Sequence, residues 1–275
     1  MNATRLRQRA AILHAIRAWF HAHGYLEVAT PVLVPTAATE EHLEAVPAAE
    51  GWLHTSPELA MKRVLASGLC RIYQITPCFR DEERGVHHAR EFAMLEWYRA
   101  GAGSTELMDE VESLIQAAAA AVDAVVPPFV RRRVSDLLED IGTPDDWFFT
   151  WVDRIEPTLT QPTIVYDYPP WQAALARLRG DVADRFEVYL SGLELANAFH
   201  EELDPAELRQ RQHAANAARL AAGRSPHPVD ESFLEAVGRM PRCSGIALGI
   251  DRLVMALTGA KSIDEVQVPA GFEAH

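Results

Sequence analysis

The sequence predicts an α+β fold, a mainly antiparallel sheet flanked by helices. The chain opens with a helical stretch, continues into strand-like stretches that follow one another in pairs, and inserts helices between those strands. Its 275 residues, 48% hydrophobic and 24% charged, have the apolar content of a buried core.

The elements follow in order. In "NATRLRQRAAILHAIRAWFHAHGY", Asn2 or Thr4 offers a cap. Leu6, Ala10, Leu13, Ile16 and Phe20 recur at helical spacing, and Gly24 stops the run. "YLEVATPVLVP" favours strand and ends against Pro31 and Pro35, and residues 36–50 read as a small polar loop. "WLHTSPELAMKRVLASG" reads as a short strand, then a helix capped by Ser56 with Pro57 at its first position. "RIYQITPCFR" and "EFAMLEWYRA" flank a charged run and predict an antiparallel hairpin with a long loop. Residues 105–126 form an Ala-rich helix, whereas 127–163, with Arg131–Arg133 and Trp147 to Trp151, read as an irregular or small helical insertion. Strands return at "TIVYDYPP" and "RFEVYLSGLELANAFHE". "PAELRQRQHAANAARLAAG" is a polar helix ended by Gly223, and "SGIALGIDRLVMALTGA" a strand running into a helix.

The 39 acids against 26 Lys and Arg give a formal net charge of −13, which argues against non-specific nucleic-acid binding. Cys70, Cys78 and Cys243 have no paired spacing and read as buried thiols of a cytoplasmic protein, with neither a zinc site nor a disulfide framework. No apolar run reaches membrane-spanning length, and the N-terminus lacks a signal-peptide core.

Three constellations carry chemistry. In the hairpin, alternation puts Arg80 and Glu82 on one face, and Phe92, Met94, Glu96 and Tyr98 likewise. Arginine grips phosphate or carboxylate in a bidentate way, an aromatic stacks a base, and acids take an amine or a metal. Each residue alone would suit a solvated hairpin; the set points to a site. In "GLELANAFHEELD", Glu194 and Glu201 lie seven apart around Asn197. A strand turning near Asn197 would bring both carboxylates to one cavity, suited to magnesium shared with phosphates or to an ammonium group. In "CSGIALGIDRLVMAL", Gly245 and Gly249 permit close approach to a ligand, and Arg252 opens an apolar helix whose N-terminus favours anions. Asp251 and Arg252 would equally serve to cap and solvate that helix.

"GYLEVATPVLVP", "FRDEERGVHHAREF" and "GIALGIDRLVMAL" resemble the three signature motifs of class II aminoacyl-tRNA synthetases. "TSPELAMKR", "EFAMLEWYR" and "LELANAFHE" resemble the lysine type. From about residue 5 to 266 the chain is similar to the elongation factor P β-lysine ligase family. The resemblance implies a single class II catalytic domain that activates lysine or (R)-β-lysine with ATP and Mg²⁺ and transfers it to a lysine of elongation factor P. It implies that Arg80 holds the α-phosphate and the amino-acid carboxylate, Glu82 and the Ala89 backbone the adenine side, and Arg252 the γ-phosphate, while Phe92 stacks the adenine. Asp81, His88, Leu195 and Gly249 complete the ATP site. Glu194 and Glu201 take magnesium and the substrate's amino groups, and Ser56, Pro57, Glu58, Glu96, Tyr98, Asn197 and Ala247 form the lysine-like pocket. His87 and His88 order the loop over ATP, and Pro31 belongs to a homodimer interface.

Motif 1 begins about 24 residues in, where lysyl-tRNA synthetases carry a large anticodon-binding barrel first, so neither that domain nor full tRNA recognition is expected. Ala247 stands where those synthetases have glycine and the ligases alanine, and its methyl narrows the space around the substrate's amino group. Departures are His88-Ala89-Arg90-Glu91-Phe92 in place of His-Asn-Pro-Glu-Phe, Ala198 in place of a glycine, and a 127–163 region shorter by tens of residues. Two other readings stay open: a stand-alone lysyl-adenylate-forming ligase for tRNA or a small amine, and a non-catalytic amino-acid-binding regulatory paralogue.

Overall fold

A computed structural model describes residues 3–38, 43–138 and 142–268; Asn2, one of the two expected caps, lies outside them. Helix α1 (Ala3–Ala22) buries Ile12, Ile16, Trp19 and Phe20, a one-face helical spacing. Gly24 then takes φ +73, which glycine tolerates, and the helix stops. The following strand-favouring stretch gives only two short pieces, β1 (Leu26–Glu27) and β2 (Leu33–Val34). Prolines 31 and 35 remove the N–H donors a longer ladder needs. The expected 36–50 loop contains a strand, β3 (Pro47–Ala48), which with β4 (Gly51–Leu53) and β2 forms a small sheet in the order β2-β4-β3. A Cβ at Gly51 would lie 2.2 Å from the Val34 carbonyl oxygen, so only glycine fits there.

Helix α2 (Glu58–Leu65) starts one residue later than expected: Pro57 occupies the cap position, and the Glu58 N–H donates to Ser56 Oγ at 3.4 Å. Strands β5 (Arg71–Phe79) and β6 (Glu91–Ala100) form the expected hairpin, from Arg71 opposite Arg99 to Phe79 opposite Glu91. Arg80 and Glu82 therefore fall beyond the strand, in the loop. Helix α3 (Ser104–Ala120) ends before Asp123, which has left-handed φ 56.

The 127–163 region is more regular than its sequence suggested. It supplies β7 (Val130–Arg133), α4 (Val134–Leu137) and α5 (Pro144–Thr150), the last widening into a helical turn over Trp151–Ile155. Strand β7 pairs in parallel with β8 (Thr163–Tyr168), and Trp147 and Trp151 stack 4.9 Å apart beside Tyr168. The arginines hid this strand, because Arg131 and Arg133 sit on it paired with Asp109 and Asp167.

The remainder runs β9 (Leu178–Arg179), β10 (Val182–Leu190), β11 (Leu193–His200), α6 (Pro205–Ala221), α7 (Glu231–Val237), β12 (Cys243–Gly249) and α8 (Ile250–Thr258). The main sheet is ordered β1-β5-β6-β12-β11-β10-β8-β7, with β9 beside β10; β1–β5 and β7–β8 are parallel and the other pairs antiparallel. This is the α+β arrangement expected. One face carries Leu95, Trp97, Ile246, Leu248, Ala198 and Phe186 into a core shared with α1, α3 and α8. Each such large apolar side chain stabilises by roughly 1.5–3 kcal/mol on burial. The other face is a cleft floor, with α2, α6 and α7 clustered at one side around Met61, Leu208 and Phe233.

Cys78 and Cys243 are buried free thiols as expected, whereas Cys70 is exposed. Among the described residues no helix is long and apolar enough to cross a membrane.

Candidate active site

The cleft, about 890 Å³, lies over β6, β12, β11 and β10. Antiparallel register puts opposed residues on one face. One row across the sheet is Gln74, Glu96, Ala247, Asn197 and Glu187; the next is Ile72, Tyr98, Gly245, Phe199 and Arg185. Gly245 is small for a steric reason. A Cβ there would come within 2.2 Å of the Tyr98 ring and 2.8 Å of Glu201 Oε1. Ala247, by contrast, projects its methyl into the cleft between Glu96 and Asn197. Ala198 points to the opposite face, into the core.

Glu194 reaches the same face through an irregularity. Val188 pairs with Ala196 but Tyr189 pairs with Glu194, so Leu195 is an extra, bulged residue. The bulge puts even-numbered Glu194 on the side of Asn197, Phe199 and Glu201. The chain does not turn near Asn197; it turns at Ser191–Gly192, both at positive φ, and β11 runs straight through. Seven residues of extended strand span about 20 Å. Glu194 and Glu201 therefore stand at opposite ends of the face and cannot share one ion, which corrects the expected metal pair.

The Glu201 end is a buried acidic nest. Glu96 and Glu201 are 1% and 3% exposed, and Glu58 opens α2 beside them. Lys62 Nζ stands 2.7 Å from Glu58 Oε1 and 2.6 Å from Glu201 Oε2. The Tyr98 hydroxyl donates to Glu96 Oε2 at 3.0 Å. Three carboxylates thus face one ammonium, and Glu201 Oε1 has no hydrogen-bond partner among the described residues. Burial would lower the Lys62 pKa, but Glu201 and then Glu58 outweigh it, so the ammonium stays charged. Burial first, then Glu58, push Glu96 well above the usual carboxylate range. Burial, opposed by Lys62 and reinforced by Glu58, raises Glu201 to about 7. The nest is short of positive charge, and a cationic ligand would supply it.

At the other end Arg80 and Arg252 converge. Arg80 lies over the Phe92 ring, 5.0 Å from its centroid, and pairs with Glu83 at 2.9 Å. Asp251, 2% exposed, accepts from the Ala93 N–H at 2.7 Å and pairs with Arg9, pinning the start of α8. Arg252 follows, donates to the Glu194 carbonyl at 2.9 Å and the His87 carbonyl at 3.4 Å, and contacts His88 Nε2. Partial burial, then Arg252, lower the His88 pKa, so its ring is neutral there. Burial and then Glu187, opposed by Arg252, raise Glu194 to about 7.

Of the residues singled out in the sequence, Ser56, Glu58, Arg80, His88, Ala89, Phe92, Glu96, Tyr98, Glu194, Leu195, Asn197, Glu201, Ala247, Gly249 and Arg252 all line this cleft. Asp81, Glu82 and Pro57 do not. Asp81 pairs outward with Arg90, Glu82 points to Arg224, and Pro57 is buried at the start of α2. Sequence reading missed Lys62, Arg185, Glu187 and Gln212. Arg185 donates to Asn197 Oδ1 at 3.0 Å and pairs with Glu187, and "DRFEVYL" carries both at strand alternation, a signal that was there to use. Gln212 lines the cleft from α6, 7% exposed, with no partner for Oε1 among the described residues.

A cleft with a cation-seeking end and an anion-seeking end suits an amino acid and a nucleotide laid end to end. Comparisons agree. The model of the class II tRNA synthetases (D, K and N) matches residues 1–269. The elongation factor P–(R)-β-lysine ligases of Vibrio vulnificus, Vibrio campbellii and Vibrio cholerae are each 39% identical, over 95–96% of this chain and 94% of theirs. The alignments run over 302–306 positions, more than the 275 residues here, so the relatives carry residues this chain lacks. The chain belongs to the class II tRNA synthetase family of the D, K and N type, in company with the elongation factor P–(R)-β-lysine ligases.

Proposed function

We propose that the protein activates lysine or (R)-β-lysine with ATP and transfers the aminoacyl group to a lysine side chain of elongation factor P. The observation that carries the substrate class is the acidic nest: Glu58, Glu96 and Glu201 around Lys62, with an orphaned carboxylate oxygen. An ammonium group fits there, and a neutral or acidic side chain does not.

Arg80, facing the cleft over Phe92, orients the substrate carboxylate against the α-phosphate, and Phe92 offers its ring to the adenine. The carboxylate oxygen bonds to the α-phosphorus and the bond to the β-phosphate oxygen breaks, releasing pyrophosphate. Arg252 stabilises the negative charge carried by that leaving group. The acceptor amine then attacks the activated carbonyl, AMP departs, and the amine gives up a proton. Preorganised cations and two oriented reactants account for such a reaction without an enzyme nucleophile.

Glu194 and Glu187 share one sheet face, where burial and then the Glu187 charge disfavour ionisation of Glu194. Magnesium, which prefers one or two carboxylates plus phosphate oxygens, fits that pair and would supply charge neutralisation to the phosphates when bound. Leu26 and Leu33, 51% and 50% exposed on either side of Pro31, give the motif 1 segment an apolar surface that a second copy would cover, so we infer a homodimer.

The test is ATP–pyrophosphate exchange with lysine, (R)-β-lysine and other amino acids, followed by mass measurement of elongation factor P incubated with enzyme, ATP and the best substrate. Exchange with a diamino acid and a matching mass increase are expected. No exchange with any amino acid would favour a non-catalytic binding protein.

A further inference from the structure

We propose that Glu44 and Arg219 are positioning residues for the loop that carries Arg80, a role that rests on the adenylate-forming reading above. Arg219, near the end of α6, has no exposed surface. Its guanidinium donates to the Leu43 carbonyl at 2.7 Å, to Glu44 Oε1 at 2.9 Å and to the Ser225 carbonyl at 2.9 Å. Glu44 reaches the other way through its backbone, and the Asp81 N–H donates to its carbonyl at 2.9 Å. A buried cation thus fixes the residue that fixes the loop one position after Arg80.

A second, outer link runs from the same carboxylate. Arg224 lies 3.4 Å from Glu44 Oε1 and donates to Glu82 Oε2 at 3.0 Å. The two residues following Arg80 are therefore both tied to Glu44, one directly and one through Arg224. The links differ in weight. Glu82 is 62% exposed, and ion pairs in water contribute little. Arg219 is sealed from water, so removing the Glu44 carboxylate takes compensating negative charge away from a buried cation, and the loops around it must adjust.

Neither Glu44 nor Arg219 lines the cleft, so neither touches substrate. Their effect passes through Arg80, a long side chain whose root must be fixed if its guanidinium is to meet the α-phosphate in one geometry. The same helix carries Glu207, Arg211 and Gln212 on the cleft, so the helix that anchors this loop also walls the site.

Exchange kinetics on the full chain test this. Glu44→Gln keeps the shape and removes the charge; it is expected to raise the KM for ATP about tenfold, with a smaller rise in the KM for the amino acid, whose carboxylate Arg80 also meets, and a lowered melting temperature. Arg219→Lys, which keeps a cation but loses the fork, is expected to show the same split. Arg224→Ala, at the surface, is expected to raise the KM for ATP only about threefold. Equal changes in both KM values, or a lower melting temperature with unchanged KM for ATP, would show a purely structural role and overturn the proposal. Should Glu44→Gln not fold, Arg224→Ala decides alone, and an unchanged KM for ATP sinks the idea. A wild-type protein with no exchange at all would overturn the parent reading instead.

Discussion

The two ends of the cleft solve opposite problems with opposite materials. The end we assign to the amine is made of sheet: Glu96, Tyr98, Asn197 and Glu201 sit on or directly after paired strands, closed in by α2, and all but the half-buried Asn197 are almost free of solvent. The end we assign to the triphosphate is made of a loop and a helix start, and its arginines rest on nearby partners, Arg80 on Glu83 and Arg252 on the Glu194 carbonyl and the 80–91 loop. A single ammonium offers few contacts, so its acids must already converge before it arrives. A triphosphate offers many charged oxygens, and long arginines can leave weak local partners for it. Rigidity is placed where the ligand is small.

That contrast can be broken experimentally. Arg252→Ala should have the largest effect, lowering the exchange rate by at least about 100-fold, the scale for removing one preorganised charge-stabilising group. Melting should be little altered. Gly245→Ala attacks the rigid end. Its new methyl cannot coexist with the Tyr98 ring, and a displacement of about 1 Å at such a site costs on the order of 100-fold. Calorimetry should show ATP still binding to this variant, and loss of ATP binding would mean the two ends are not separable. Glu201→Gln should raise the KM for the amino acid by about tenfold or more, the scale for one charged hydrogen bond, while leaving that for ATP unchanged.

The acids also make a pH prediction. Glu194 and Glu201 have their carboxyl pKa raised from 4.5 to about 7, so between those values the folded protein binds more protons than the unfolded chain. The contribution of these two acids to ligand-free stability should therefore fall as pH rises from 4.5 to 7. Lysine should restore the Glu201 share increasingly across the same window, with release of protons, because an ammonium favours the ionised form of the acid beside it. Thermal melts from pH 5 to 8, with and without lysine, check this, and a flat difference between the two curves would contradict the picture of the nest. The smallest change expected is Ala247→Gly, which removes one methyl from the cleft floor and should shift preference about tenfold from β-lysine towards α-lysine, the low end of the range for one methylene. Competition of the two substrates in one exchange assay measures it.

Much of the site was legible because strand alternation is local. Phe92, Met94, Glu96 and Tyr98 share a face by period alone, and so they do in the structure. What period could not show was where it breaks. The bulge at Leu195 reverses the parity of Glu194, and the turn at Ser191–Gly192 was invisible to a reading that placed a turn at Asn197. Glu82, in phase with Arg80 on paper, lies past the end of β5 and is claimed by Arg224. Lys62, inside "ELAMKRVL", looked like an ordinary helical lysine; only its two carboxylate neighbours, Glu58 of α2 and Glu201 just past β11, reveal its place.

By itself the sequence determined most element types, the hairpin, the strand-to-helix run around Arg252 and the residue kinds at both ends of the cleft, since these depend on short-range periodicity and on glycine and proline punctuation. Tertiary structure alone decided which acids meet. Glu58, Glu96 and Glu201 come from three separate segments, and Glu44 reaches Arg219 across 175 residues. Such encounters depend on register, bulges and the desolvation of paired charges, which only the assembled sheet and its covering helices can fix.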